Sequence, residues 1–302
     1  MPTEYPTPEP APWSTPLPKF VLKPDAELEK QIAKIAEEAK GKVGVAAVVL
    51  ETGDSAVLNA DQHFPMQSVF KLPIAMAVME QIKRGELDLD EKIGVTKEDM
   101  VRQGQRSPLR DANPNGGEFT IRELIRLSLV ESDGTASDVL MRVAGGANEI
   151  QSYLSLIGIQ DIKVVNTEKE IGKDWQTQYE NWATPIASIE LVDSLGGLSE
   201  HILLEGSPLI LNNMLESKPG QNRLKGRLPA EALVYHKTGT SGTQNGITGA
   251  TNDIGIIWLP NGNRLGIAVF VSDSPADEKT REAVIAKIAK AVWDKWSAGG
   301  VN

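Results

Sequence analysis

The sequence predicts an α+β fold in which an antiparallel sheet, flanked by helices, is interrupted by a long helical insertion. Short β-branched and apolar runs bounded by turn signals stand near the two ends, at 43–50 and 56–59 and again at 232–238, 248–259 and 264–271. Between them, from Ser68 to about Leu215, apolar residues recur at helical spacing without strand alternation. Amphipathic helices flank the strand-forming ends. The terminal strands must then share one sheet, and the cleft between that sheet and the helical block is where a site is expected.

In chain order, residues 1–23 read as a proline-rich arm. Eight of the 18 prolines fall within the first 24 residues, and proline fixes φ and removes a backbone donor, which excludes helix and central strand. Trp13, Leu17, Phe20 and Leu22 give the arm apolar groups for docking on the body. A helix follows Pro24, since Asp25 is a good N-cap and Leu28, Ile32, Ile35 and Ala39 repeat at helical spacing up to Gly41. Thr52-Gly53-Asp54 turns the strand at 43–50 into that at 56–59. Helices are predicted over 69–85, 121–129, 135–143, 147–157 and 184–196. Pro260-Asn261-Gly262-Asn263 closes a hairpin between 248–259 and 264–271. The last helix, 275–297, places Val284, Ile288, Ala289, Val292 and Trp296 on one face. The expected division is a discontinuous sheet domain, 24–61 with 219–302, and an all-α domain over 62–218.

Composition narrows the function. The 302-residue chain is 40% hydrophobic and 24% charged, which is ordinary globular composition. A net charge of -10 without a basic stripe argues against a nucleic-acid partner. No run approaches the roughly 18 apolar residues of a membrane span, and Met1-Pro2-Thr3-Glu4 shows no export signal. Cysteine is absent, and His63, His201 and His236 are scattered, so neither a metal nor another cofactor is expected.

Three short motifs carry the chemistry. In Ser68-Val69-Phe70-Lys71 the serine stands where a helix begins, and the lysine lies one turn on along the same face. Amides at a helix start favour developing negative charge, and a lysine close enough to take or relay a proton makes serine a competent nucleophile. The apolar flanks Val69, Phe70, Leu72, Ile74 and Ala75 imply that this lysine is semi-buried. Ser132-Asp133-Gly134 opens the next helix, and read alone it is a capping turn. Lys237-Thr238-Gly239-Thr240 falls in a strand, where small neighbours let a ligand approach the backbone amides. Read alone, that lysine is equally an edge-protecting charge.

In this order and at these spacings the motifs resemble those of class A serine β-lactamases. The resemblance covers about 24–297. Its most specific stretches are Phe64-Pro65-Met66-Gln67-Ser68-Val69-Phe70-Lys71-Leu72, His236-Lys237-Thr238-Gly239-Thr240-Ser241-Gly242 and Ala250-Thr251-Asn252-Asp253, which are similar to the PER-like extended-spectrum branch. A loop after the helical core carries the family's deacylating glutamate, which Glu168 matches in Val165-Asn166-Thr167-Glu168-Lys169-Glu170; Glu170 is its rival. Gln178-Tyr179-Glu180-Asn181-Trp182 downstream also resembles the PER-like loop, and Trp175, Tyr179 and Trp182 are expected to pin it to the body.

The resemblance implies a serine β-lactamase/D,D-peptidase-like fold and a cofactor-free hydrolase. This hydrolase opens the lactam amide of penicillins and cephalosporins through a serine acyl-enzyme, oxyimino-cephalosporins included, and confers resistance. It implies catalytic roles for Ser68, Lys71, Ser132, Glu168 and Lys237, and an oxyanion hole from the amides of Ser68 and Thr240. Substrate binding would involve Gly134, Thr238, Gly239, Thr240 and Arg223. A small-molecule lactam is the expected partner, the protein a monomer, and its location periplasmic or secreted. The alternatives are a penicillin-binding D,D-peptidase or a β-lactam sensor that stays acylated.

Several residues depart from the family. Gly134 stands where asparagine is usual, which predicts weaker recognition of the substrate's acylamino group. Asp138 replaces an asparagine, and Asn181 replaces a loop aspartate. Gly172 stands in place of the asparagine that usually holds the deacylating water, and no aromatic guards the site entrance between Gly94 and Gly117, where Arg106 or Ser107 would substitute.

Overall fold

The computed structural model describes residues 21–196 and 207–297. Trp13, Leu17 and Phe20 of the expected arm, and His201, lie outside the described residues. Leu22 packs against the main core.

The first helix, α1 (Ala26–Ala36), begins as expected, with the Asp25 carboxylate accepting from the Leu28 amide. It ends earlier than expected, through a short 3-10 turn, Glu37–Ala39, closed by Lys40 in the left-handed region. The hairpin β1 (Lys42–Val49) and β2 (Asp54–Leu58) follows. Near the C-terminus come β3 (Val234–Thr240), β4 (Ile247–Trp258) and β5 (Arg264–Ser274). The five pair antiparallel in the order β2-β1-β5-β4-β3, so strands from the two ends meet where β1 pairs β5. Two two-residue pieces extend this sheet, Lys23–Pro24 alongside β2 and Thr243–Gln244 folded back on β4.

Alternation along the central strands sends successive side chains into two cores. Leu265, Ile267, Val269 and Val271 of β5 pack with Val43, Val45, Ala47 and Val49 of β1 beneath α1 and the last helix, Glu278–Ser297. Val284, Ile288, Ala289, Val292 and Trp296 of that helix are buried there, as their spacing predicts. Ala268 and Phe270 face the other way, into the larger core shared with the helical block. That block contains α2 (Lys71–Lys83), α3 (Ile121–Val130), α4 (Gly134–Val143), α5 (Ala147–Leu156), α6 (Pro185–Gly196) and α7 (Ser207–Leu215).

The block is not purely helical. Lys92–Val95 pairs with Gly117–Thr120, and Phe64–Pro65, Ile162–Lys163 and Trp182–Ala183 form a small ladder. Strands of two to four residues are too short to register as alternation in sequence. Phe64 is the joint between the block and the sheet, because its ring stacks on Phe270 at 5.7 Å. Phe270→Ala is expected to lower the unfolding free energy by about 3–5 kcal/mol, read as a fall in denaturant midpoint at nearly constant slope. A loss below about 1 kcal/mol would place the joint elsewhere.

Candidate active site

Ser68 lies in a 3-10 turn, Gln67–Phe70, that runs into α2 at Lys71, so the helix proper starts slightly later than predicted. The sheet holds this turn. Asn252 of β4 donates its amide to the carbonyls of Pro65 (2.8 Å) and Met66 (3.1 Å). Gly239 of β3 sits so close that a Cβ there would lie 2.2 Å from the Met66 oxygen, and only glycine allows that approach. Gln67 is held at φ 48°, in the left-handed region, while its side chain donates to Gln178 at 2.9 Å. Ser132 has φ 57°. Two such non-glycine residues beside one cleft are a local strain maintained by their surroundings.

Lys71 is 1% exposed. Its Nζ donates to Ser68 Oγ (2.6 Å), to Glu168 Oε2 (2.9 Å) and to the Ser132 carbonyl (3.2 Å). Lys237, fully buried, points inward from β3 and donates to Ser132 Oγ (2.9 Å) and the Thr238 carbonyl (3.0 Å). Burial, followed by the neighbouring Lys71 charge, holds the Lys237 ammonium well below its ordinary pKa. The Ser132 turn is anchored by Asp133. Its carboxylate accepts from the amides of Leu109 (2.6 Å) and Ala136 (2.9 Å) and from Ser107 Oγ (3.0 Å), and burial raises its pKa.

The loop carrying Glu168 is fastened by amide groups. Asn181 accepts from the amides of Val165 (2.8 Å) and Asn166 (2.9 Å) and donates to the Asn166 carbonyl (2.8 Å). Asp138 of α4 accepts from the amides of Glu168 (2.6 Å) and Lys169 (2.9 Å), so a carboxylate with two acceptor oxygens suits this position. Glu168 and its rival separate clearly. Glu170 folds back on Thr167 as a capping box, and those hydrogen bonds lower its pKa, whereas Glu168 reaches Lys71. Of the loop aromatics, Tyr179 bonds Asp273 at 2.6 Å and Trp182 stacks on His63 at 3.5 Å, while Trp175 lines the cleft.

The cleft encloses about 630 Å³ and is lined by Ser68, Ser132, Glu168, Thr238 and Thr240 among others. Of the residues expected to bind substrate, Thr238 and Thr240 line the cleft, whereas Gly134, Gly239 and Arg223 lie behind its lining. Arg223 is 3% exposed, and its guanidinium bonds Glu282 (3.1 Å), the carbonyls of Gly239 and Asn252, and Thr240 Oγ1 (2.8 Å). It reaches the cleft lining through the Thr240 hydroxyl. The strand runs on to Thr240, two residues past the expected end, which aligns that hydroxyl with the arginine.

The model of the β-lactamase enzyme family matches residues 27–296. The chain belongs to that family. Among relatives of this β-lactamase, VEB-1 and the extended-spectrum β-lactamase PER-1, both of Pseudomonas aeruginosa, are each 39% identical. The matches cover 88% of this chain, with 89% of VEB-1 and 86% of PER-1. Among solved structures, a β-lactamase from Chitinophaga pinensis superposes with a TM-score of 0.85 at 39% identity, covering 89% of this chain and 99% of that one. TLA-3 extended-spectrum β-lactamase superposes equally well at 40% identity, covering 90% and 98%. The resemblance to the PER-like branch of class A and the hydrolase assignment hold.

Some expectations for this β-lactamase change with the structure. Arg106 is exposed on the cleft rim and bonded to Glu131, whereas Ser107 is buried against Asp133 and Thr135, so of the two only Arg106 stands at the entrance. An asparagine at 134 would not simply add a hydrogen bond. A Cβ there would lie 2.8 Å from Glu168 Cγ and 3.2 Å from Val101 Cγ1, so position 134 is space that the Glu168 side chain needs. Sequence reasoning missed Gln105, whose amide donates to the Glu168 carbonyl at 2.5 Å. No motif marks it.

Gly134→Asn is accordingly expected to lower kcat for lactam hydrolysis more than it changes KM. Unchanged kcat with a lower KM would show that Glu168 yields freely. Asp138 supplies a pH test, since burial, reinforced by the Glu168 charge, raises its pKa from 3.8 to about 7. Between these values the folded protein keeps a proton that the unfolded chain releases, so stability falls as pH rises from about 4 to about 7. Asp138→Asn is expected to remove that part of the slope in thermal melts, and an identical slope in both proteins would exclude Asp138 as its source.

Proposed function

We propose that this enzyme hydrolyses the lactam amide of penicillins and cephalosporins through an acyl-enzyme on Ser68, and thereby confers β-lactam resistance. The observation that carries the reading is the Lys71 ammonium, 2.6 Å from Ser68 Oγ and 2.9 Å from Glu168 Oε2, which ties a nucleophile and a carboxylate base into one network. Ser68 Oγ attacks the lactam carbonyl, and its proton passes either to Lys71, after the ammonium has ceded a proton to Glu168, or through a water to Glu168. The amides of Ser68 and Thr240 stabilise the oxyanion. As the carbon–nitrogen bond breaks, Ser132, hydrogen-bonded to Lys237, delivers a proton to the lactam nitrogen and takes up in turn the proton that left Ser68, which leaves Glu168 ionised. Glu168 then takes a proton from water attacking the ester, the bond to Oγ breaks, and Ser68 is regenerated.

Lys237, Thr238, Gly239 and Thr240 form the recognition edge for the substrate carboxylate, with Arg223 orienting Thr240. Gly134 lies beside the acylamino group. Oxyimino-cephalosporins are included because a second hollow of about 410 Å³, lined also by Tyr179, Asn245 and Asp273, adjoins the cleft and shares Trp175 and Gln244 with it. We place the boundaries of the sheet domain at 24–61 and 219–302, around a helical domain at 62–218. The enzyme acts as a monomer in the periplasm or outside the cell, where lactams attack wall synthesis. The exposed large apolar residues among those described, Val21, Val165, Leu233 and Trp258, form no broad sticky face.

Purified protein with excess chromogenic cephalosporin, then a penicillin and an oxyimino-cephalosporin, tests the reading by absorbance and intact mass. Sustained turnover of all three, lost in Ser68→Ala, is expected, with a persistent Ser68 adduct in Glu168→Ala. A single-equivalent burst by the wild type would identify a penicillin-binding protein or sensor instead, and turnover confined to the penicillin would remove the extended spectrum.

A further inference from the structure

We propose that Gln105 is a positioning residue for deacylation: its amide, admitted by Gly172, clamps the backbone of Glu168 and so sets where that carboxylate stands. This rests on Glu168 being the deacylating base.

Three observations carry it. First, the Glu168 backbone is gripped from both sides. Its N–H donates to Asp138, and its carbonyl accepts from the Gly172 amide (3.0 Å) and from Gln105 Nε2 (2.5 Å), which uses both lone pairs. A carbonyl only accepts, so this bond also fixes the orientation of the Gln105 amide. Second, a Cβ built on Gly172 would lie 2.6 to 2.7 Å from Gln105 Oε1, Cδ and Nε2. The carboxamide therefore fills the space of a side chain at 172, and the two positions are coupled sterically. Third, the turn presenting Gln105 is itself fastened. Arg110, 8% exposed, donates from one nitrogen to the carbonyls of Val101 (3.1 Å), Arg102 (2.7 Å) and Gln105 (3.0 Å).

Gln105 Oε1 is buried and receives no hydrogen bond from a protein group. Packing alone does not call for a polar side chain beside this backbone. The Nε2 bond to Glu168 does. Position 172 carries no side chain, and Gln105, 63 residues before Glu168 in the chain, reaches into that space.

The test separates acylation from deacylation by rapid mixing with a chromogenic cephalosporin and by the steady-state fraction of Ser68 adduct in intact mass. Gln105→Met keeps size and packing but removes the donor. It is expected to slow deacylation by about tenfold, the effect of one lost hydrogen bond, while acylation falls less and the adduct accumulates. Gly172→Ala, which drives the amide out, is expected to do the same. Added to Gln105→Ala, where the clash is gone, Gly172→Ala is expected to cost under about twofold more. Wild-type deacylation in both Gln105→Met and Gln105→Ala, or independent multiplying effects of the Ala substitutions, would overturn the proposal. Glu168→Ala serves as the control. If it deacylates normally, the reading of Glu168 has failed and the proposal with it; if it traps the adduct while the Gln105 variants do not, only the Gln105 proposal fails.

Discussion

Two lysine side chains, those of Lys71 and Lys237, are buried behind the lining of one cleft, almost wholly withdrawn from water, and the site is organised around satisfying them. A buried cation is tolerated only where acceptors surround it. Ser132 serves both, its carbonyl for Lys71 and its hydroxyl for Lys237, and its left-handed backbone lets one residue do so. Ser68 and Glu168 complete the set around Lys71. Lys71 belongs to the helical block and Lys237 to the sheet, so this cluster spans the two halves of the chain. Burial, and after it the Lys71 charge, leaves Lys237 reluctant to hold its proton.

The loop facing these lysines is secured mostly by neutral groups. Asn181 fastens its start, the Gln67–Gln178 pair ties it to the turn carrying the nucleophile, and Asp138 and Gln105 hold the backbone of Glu168 itself. Hydrogen bonds of this kind are directional and unaffected by ionic strength, unlike surface ion pairs. They set the position of one carboxylate to within the reach of a proton transfer.

Glycine on either side of Glu168 has a common meaning. Gly134 leaves room for its side chain, and Gly172 leaves room for the amide that grips its backbone. Gly239 does the corresponding work across the cleft, allowing the strand of Lys237 to lie against the turn of Ser68. The close packing that positions the chemistry is thus achieved by omitting side chains.

The α+β class, the hairpins, the last helix and its buried face, and the motifs of Ser68, Ser132 and Lys237 were legible in the sequence. Periodicity and N-cap chemistry are local, and the Ser68–Lys71 pair and the capping Asp133 each lie within a few residues of chain. Other features depended on contacts between residues far apart in the chain. The pairing of Asp138 with the loop amides, the withdrawal of Arg223 behind Thr240, the space that Glu168 takes at 134 and the reach of Gln105 to its carbonyl join elements 17 to 63 residues apart. Sequence shows which side chain is missing at a glycine, but only the packed structure shows what occupies its volume, because that volume is made by neighbours that folding alone brings together.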